Sequence, residues 1–438
     1  MGIKVAKFGG SSAADVIQIR KMKDIIDADS DRKYIIVSAP GKRFEEDNKI
    51  TDLLYLCYTH MEHKLPYDQL LQVIQDRFTS TAVNLGANVN FAEDFDEIRK
   101  MAKEGCSKDY VASRGEYLSA KLVAAYLGYD FVDAADMIFF DDKGKYLEDE
   151  TDAAIQDVLK NHERAVIPGF YGTAKGTSQI KTFSRGGSDI TGSIVAKAVS
   201  ADIYENWTDV SGFLMADPHI VNNPKPIHEI SYKELRELSY MGASVLHEDA
   251  IHPARVANIP INIRNTNEPD DPGTIIKAHH EDKENNDIIT GIAGKKDFTV
   301  IAIYKNMMAR ERGFVRRILG ILEDFDCNFE HIPSGIDTVS VVVSNKDLDG
   351  RLDELVSAFE KQLEPDHIEC FEDMALIATV GYGMNRRKGV AARLITALAN
   401  ADVNLRMIEQ GSSEINIIVG VENKDFEPAI RAIYDAFA

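Results

Sequence analysis

The chain has 438 residues, 44% of them apolar and 28% charged, which suits a folded protein of about three domains at ~150 residues each. Its 50 basic and 71 acidic residues give a formal charge of −21, which argues against binding nucleic acid or adhering to acidic membranes. Any anion site must therefore be built locally. The four cysteines (Cys57, Cys106, Cys327 and Cys370) contain no C-x-x-C pair, so reduced thiols are expected rather than a disulfide framework or a zinc ribbon. There is no apolar run of membrane-spanning length and no signal peptide before the first strand, so a cytoplasmic protein is expected.

Residues 3–6 form an apolar run that leads into Lys7-Phe8-Gly9-Gly10-Ser11-Ser12, after which Val16, Ile19, Met22 and Ile26 recur on one side of a helical pattern. Strand, glycine turn and helix in that order let backbone N–H groups approach an anion, and a helix N-terminus concentrates unpaired donors. Lys7 adds a mobile full charge at the strand's end. This is the grammar of a phosphate cradle, although short glycine motifs also occur in plain turns. The stretch resembles the Lys-Phe-Gly-Gly signature of the aspartokinases, within the wider amino acid kinase family. The resemblance implies an α/β fold with an open, mostly parallel sheet flanked by helices. It also implies ATP as donor and L-aspartate as acceptor, with Lys7, Phe8, Gly9, Gly10 and Ser11 at the nucleotide's phosphates.

Residues 34–38 read as a buried strand, followed by a charged loop over 42–49 that is expected to be mobile. Thr51-Asp52 opens a helix, with Thr51 as its N-cap; the resemblance adds a contact between Thr51 and the amino-acid substrate. Two helices fill 66–105, and another starts near Asp109 and carries Ser113-Arg114-Gly115-Glu116. A glycine in its early turns lets a ligand come close. This segment is similar to the aspartokinase element ending in Gly-Glu, which implies that Glu116 holds the substrate's ammonium group.

Residues 165–170 form a strand with a Gly/Pro end, a hairpin-like stretch follows, and Phe183-Ser184-Arg185-Gly186-Gly187-Ser188-Asp189 opens a second glycine-rich helix start. Ser188 or Asp189 is expected to cap that helix. A guanidinium here suits a carboxylate or a phosphate, which arginine grips bidentately. By the resemblance, Arg185 takes a substrate carboxylate beside Gly186, Gly187 and Ser188, and Asp189 orients Lys7. The strand 201–207 then leads to Thr208-Asp209-Val210-Ser211-Gly212, similar to the family's loop against the nucleotide's ribose and adenine. Leu214, His219, Ser244 and Val245 complete that implied nucleotide set. Ser244 stands where relatives often have a lysine, and His219 where they often have another basic residue. This variant looks like the aspartokinases of spore-forming bacteria related to Bacillus and Clostridium. Residues 231–240 read as a helix and 261–264 as the last strand of this half; the polar bridge 279–287 marks a boundary.

Beyond the bridge the order strand, helix, strand, strand, helix occurs twice, over 298–363 and 374–437. The pair resembles tandem ACT domains, ferredoxin-like modules that bind amino acids. The expected division is 1–285 for the catalytic part, 286–366 for a first module and 367–438 for a second. The second unit lacks a final strand, whereas residues 288–293 form a spare one before the first, separated from it by a polar turn. An open edge tends to be covered, so 288–293 is expected to complete the second unit, with the first inserted between its parts. The resemblance implies feedback inhibition, with lysine favoured over threonine. It places Met307, Met308, Gly313, Phe314, Val315, Glu330 and Ser334 at the effector, and a homodimer or a dimer of dimers is expected.

No P-loop, protein-kinase or dinucleotide fingerprint occurs. No protein metal site is expected; magnesium would be held mainly by ATP. Two alternatives remain: an amino acid kinase acting on glutamate or a carbamate, and a non-enzymatic amino-acid sensor, the latter motivated by Ser244 and His219.

Overall fold

The computed structural model describes residues 2–438 except Arg185, Ser244, Val245, His247, 279–286 and Arg386. The polar bridge thus lies almost wholly outside the described residues. Two compact units emerge. One comprises Met1–Phe213, Pro226–Tyr232 and Val245–His280, and the other Leu214–Lys225, Lys233–Ser244 and Glu281–Ala438. The division does not follow the chain at a single point: two stretches from the kinase-like half, 214–225 and 233–244, belong with the C-terminal sheet.

The first unit is built on strands β1 (Lys4–Phe8), β2 (Arg32–Val37), β3 (Asp130–Phe131), β4 (Ala165–Pro168), β5 (Ile203–Thr208), β6 (Glu229–Ser231), β7 (Ile261–Asn265) and β8 (Thr274–Lys277). They lie in the order β6-β8-β7-β5-β1-β2-β4-β3. The described pairings are parallel except where β8 meets β7. β1 is central, and Val5, Ala6 and Phe8 are wholly buried, as an apolar strand covered on both faces requires. Helices α1 (Val16–Asp27), α2 (Ile50–Glu62), α3 (Asp68–Leu85), α4 (Ala92–Glu104), α5 (Lys108–Leu127) and α6 (Gly187–Ala198) pack around it. One core cluster joins Ile19, Met22 and Ile26 of α1 to Leu54 of α2, Phe78 of α3 and Leu118 of α5.

Local chemistry corrects two expectations here. α2 begins one residue earlier than expected, with Lys49 at its N-cap and no side-chain cap, so Thr51 sits inside the first turn. α6 is entered through Gly186, whose φ of 58° is left-handed and leaves Ser188 and Asp189 in the first turn rather than at the cap. Arg77 of α3 holds the two ends of the loop 42–49, donating to the carbonyls of Gly41 (2.5 Å) and Asn48 (2.9 Å), and also to that of Ala14 (3.1 Å).

The second unit contains β9 (Gly291–Tyr304), β10 (Phe329–His331), β11 (Thr338–Ser344), β12 (His367–Val380), β13 (Met407–Glu409) and β14 (Asn416–Glu422) in one antiparallel sheet. Their order is β10-β11-β9-β12-β14-β13. Gly291–Lys295 pairs with Leu376–Val380, and Val300–Tyr304 with His367–Phe371. Each half of β9 therefore serves a different βαββαβ module, and the strand lying ahead of the first module completes the second. The spare strand is not separated by a turn. β9 runs continuously through a register shift between Lys295 and Phe298, where Asp297 adopts a φ of 70°. Helices α8 (Phe314–Asp324), α9 (Leu352–Leu363), α10 (Val390–Asn400) and α11 (Phe426–Phe437) complete the modules. The helix expected over 348–363 starts only at Leu352, because Asp349 and Gly350 are both left-handed.

Candidate active site

The cradle forms where β1 ends. Lys7 is buried, and its Nζ lies 2.5 Å from Asp189 Oδ1 in the first turn of α6. Gly9 N–H donates to the Trp207 carbonyl at 3.0 Å, and Gly41 N–H to the Gly10 carbonyl at 2.8 Å. A Cβ on Gly9 would stand 3.6 Å from Lys7 Nζ, and one on Gly10 would meet the Ala39 carbonyl at 3.0 Å. Gly9 thus keeps a side chain away from the lysine, and Gly10 lets the turn pack against Ala39 and Gly41. Ser12, which follows Ser11 in the turn, shares a 2.7 Å hydrogen bond with Thr266.

The second glycine turn is packed as tightly. A Cβ on Gly187 would lie 2.5 Å from the Phe170 ring, and one on Gly169 would lie 2.5 Å from Ser188 Oγ. Thr191 locks the junction by accepting from Phe170 N–H (3.1 Å) and donating to the Gly187 carbonyl (2.8 Å). Ser188 and Asp189 are thereby fixed at the start of α6. Arg185 lies outside the described residues, so Gly186, Gly187 and Ser188 are the described residues of the substrate set expected in that motif.

Glu116 lies on α5 next to Gly115. A Cβ on Gly115 would meet Ala39 Cβ at 2.8 Å, so the glycine is what lets α5 touch the segment leaving β2. Glu116 is buried, and loss of water pushes its carboxyl up to about 8, against the opposing pull of the Ala39 N–H and the Arg114 guanidinium. Among the described residues its Oε2 has no hydrogen-bond partner. A buried acceptor left without a donor is costly, and a ligand ammonium would satisfy it. Arg114 is enclosed by Tyr110, Tyr117 and Tyr171, with its guanidinium carbon 4.7, 4.4 and 5.6 Å from their ring centroids. Thr51 is half-buried on α2.

Of the expected nucleotide residues, Thr208 ends β5 and its hydroxyl lies 3.2 Å from Asp209 Oδ1. Gly212 has a φ of 84° and packs so closely on Thr274 that a Cβ would lie 2.3 Å from its hydroxyl. Leu214 and His219 fall in the second unit, where His219 is exposed and its N–H donates to Asp217 Oδ1 at 2.8 Å. Ser244 and Val245 lie outside the described residues.

In the first module, Met307, Met308, Gly313, Phe314 and Val315 gather around the N-terminus of α8. Met307 N–H donates to Asp337 (2.8 Å) and Ala309 N–H to the Ile336 carbonyl (3.1 Å), which brings them alongside the turn that carries Ser334. Met308 and Phe314 are buried, whereas Met307 is 52% exposed. Glu330, on β10, faces Tyr240 at the end of helix α7 (Tyr232–Tyr240); burial and then this carboxylate push the phenol up to about 12.

Sequence reasoning missed three residues that shape these sites. Arg77 reads as one more charge on a polar helix. Asn206, opposite Lys7 on β5, reads as one more polar residue of a mixed strand. Glu237 of α7 accepts from Asn416 of β14 at 2.7 Å, and nothing local in the sequence signals it.

A parallel sheet with two glycine turns facing a buried lysine defines an amino acid kinase, and the amino acid kinase family model matches residues 2–265. An ACT domain model matches residues 377–437. Aspartokinase 3 of Bacillus subtilis is 38% identical over 99% of this chain and 98% of its own length. The crystal structure of Clostridium acetobutylicum aspartate kinase superposes with a TM-score of 0.93 at 53% identity, covering 100% of both chains. That of Escherichia coli aspartokinase III shares the fold, with a TM-score of 0.72 at 23% identity over 99% of each chain. The chain belongs to the aspartokinase family.

Proposed function

We infer that the protein transfers the γ-phosphoryl group of ATP to the side-chain carboxylate of L-aspartate, giving L-aspartyl-4-phosphate under feedback control by an amino acid. The observation that carries this reading is Glu116, a buried carboxyl group with one oxygen unpaired among the described residues, held beside the cradle by the close approach of Gly115 to Ala39. A phosphate cradle alone fits many acceptors; a buried carboxyl group that a neighbouring cation would ionise points to one with an ammonium group.

Aspartate's side chain has an ordinary pKa near ~3.9, so it is already a nucleophile at neutral pH and needs no general base. The protein's task is to align two anions and spread the charge of the transferring phosphoryl. Lys7 serves that phosphoryl, with Asp189 holding its ammonium in place. The turn through Gly9, Gly10 and Ser11 fits the nucleotide's phosphates, which the N–H groups of Gly10 and Ser11 would hold. Magnesium, carried mainly by ATP, would neutralise its β- and γ-phosphates. Thr208, Asp209 and Gly212 would hold the nucleoside, and Arg185, Ser188 and Thr51 the substrate. A coupled ADP-release assay with L-aspartate, L-glutamate and no acceptor tests the reading. Release with aspartate alone supports it; equal release with glutamate refutes it.

For regulation, we propose lysine at the N-terminus of α8, with its side-chain ammonium on Glu330. Glu330 already faces Tyr240, and α7 also reaches the second module through Glu237 and Asn416, so an effector there would perturb a helix that both modules grip. The sheet's two end strands expose Phe329 (46%) and Ile408 (47%), surfaces suited to pairing in a homodimer or a dimer of dimers. A mass measured in solution tests that assembly.

A further inference from the structure

We propose that Asn206 is a positioning residue for phosphoryl transfer: its amide anchors the Asp189 carboxylate, which in turn aims the Lys7 ammonium at the cradle. This rests on the reading that Lys7 serves the transferring phosphoryl. The parallel ladder between β1 and β5 sets Lys7 directly opposite Asn206. Side chains at paired positions of neighbouring strands project from the same face of a sheet, so both point towards α6. Phe8 and Trp207, one residue further along, stack on the other face with ring centroids 5.9 Å apart.

Asn206 is 2% exposed, and its Nδ2 donates to Asp189 Oδ1 at 2.8 Å. That oxygen is the one Lys7 Nζ approaches to 2.5 Å. Tyr204, two residues earlier on the same face, donates its hydroxyl to the Asp189 backbone carbonyl at 3.1 Å. Gly192 permits this reach, since a Cβ there would stand 2.6 Å from the Tyr204 ring. β5 therefore holds Asp189 at two points, the carboxylate by an amide and the main chain by a phenol.

A lysine side chain is flexible and its ammonium donates in three directions. One fixed carboxylate oxygen removes most of that freedom and leaves the remaining N–H bonds for phosphate. If the carboxylate could swing, the ammonium would follow it, and the alignment on which transfer depends would be lost. A neutral amide suits the anchoring task. It adds no charge that competes with Lys7 for Asp189 or with Asp189 for Lys7.

The test compares Asn206→Leu and Asn206→Asp, both near in size, in parent and Lys7→Ala backgrounds, with single-turnover transfer rates and the aspartate KM as readouts. The expected result in the parent background is a kcat lower by about tenfold or more, an aspartate KM within about twofold of parent, and a larger loss for Asn206→Asp than for Asn206→Leu. In the Lys7→Ala background neither change should slow transfer further, because the residue acts through the lysine. Equal slowing in both backgrounds, or an unchanged kcat in the parent background, overturns the proposal. Full activity of Lys7→Ala by itself overturns the underlying reading of Lys7 instead. Should Asn206→Leu fold poorly by thermal melt, Asn206→Asp, which keeps a polar group of the same shape, carries the comparison.

Discussion

Arg77 and Gly41 are joined by a 2.5 Å hydrogen bond from guanidinium to carbonyl, and Gly41 in turn donates its N–H to the Gly10 carbonyl. A cation on α3 thus braces the phosphate turn through one intervening residue. It is buried and also lies 3.4 Å from Asp47, whose carboxyl the Arg43 and Arg77 guanidinium groups hold well below the usual range.

Arg77→Met should therefore destabilise the protein by about 3 kcal/mol, because it strands buried carbonyls at Gly41 and Ala14 and leaves Asp47 with one cation fewer. The ATP KM should rise while the aspartate KM changes little. Denaturant melts and steady-state kinetics check both, and a variant as stable as the parent would show that the loop 42–49 is held by other means.

Lys7→Ala should slow phosphoryl transfer by ~10³-fold or more, since it deletes the charge aimed at the transferring group. Aspartate affinity, measured by calorimetry, should stay near that of the parent. Near-normal turnover would remove the lysine from the mechanism.

The raised carboxyl of Glu116 makes two pH-dependent effects measurable. Its folded value, about 8, lies above its ordinary one of 4.5, so the ligand-free folded state binds the extra proton between them. Stability is then greatest below the unfolded value and falls as pH rises towards the folded one. Glu116→Gln should abolish that slope and, without aspartate, melt higher than the parent near pH ~8. Binding of the substrate's ammonium requires the ionised carboxylate, so the parent's aspartate KM should fall as pH approaches about 8. A KM flat across that window would argue against Glu116 as the ammonium's partner.

Glu330→Ala should relieve inhibition by lysine and leave uninhibited activity unchanged. Inhibition curves that overlay those of the parent would send the effector to another pocket. The same substitution should bring the Tyr240 phenol down from about 12, which a spectrophotometric titration can follow.

Much of the site is legible in the sequence where a residue type is forced. Gly10, Gly115 and Gly187 each occupy a place where a Cβ would press on a carbonyl, an aliphatic side chain or an aromatic ring, and glycines so placed mark close approach. Glu116 stands out because it sits beside one of them. The caps are less legible: a left-handed Gly186 competes with Ser188 and Asp189, and only backbone geometry decides between them. Arg77 and Asn206 carry no local signal, because their partners lie 36 and 17 residues away. The repeat is visible from strand counting, but the polar stretch in β9 looks like a turn. Lysines at a register shift remain compatible with a continuous strand, which only the neighbouring strand reveals.

The nested order of the two modules has a consequence for taking the protein apart. Both junctions of the inserted module carry a left-handed aspartate, Asp297 with a φ of 70° and Asp373 with a φ of 57°. Asn423 fastens the first, taking Asp297 N–H at 3.3 Å and donating to its carboxylate at 3.0 Å. A fragment starting after Asp373 would lack the strand Gly291–Lys295, and a chain ending there would leave that strand without its ladder. Neither half is a natural cassette. The exchangeable piece is the stretch between the two aspartates, so a chimera that trades effector sensitivity between relatives should be cut at 297 and 373, where the backbone already breaks register.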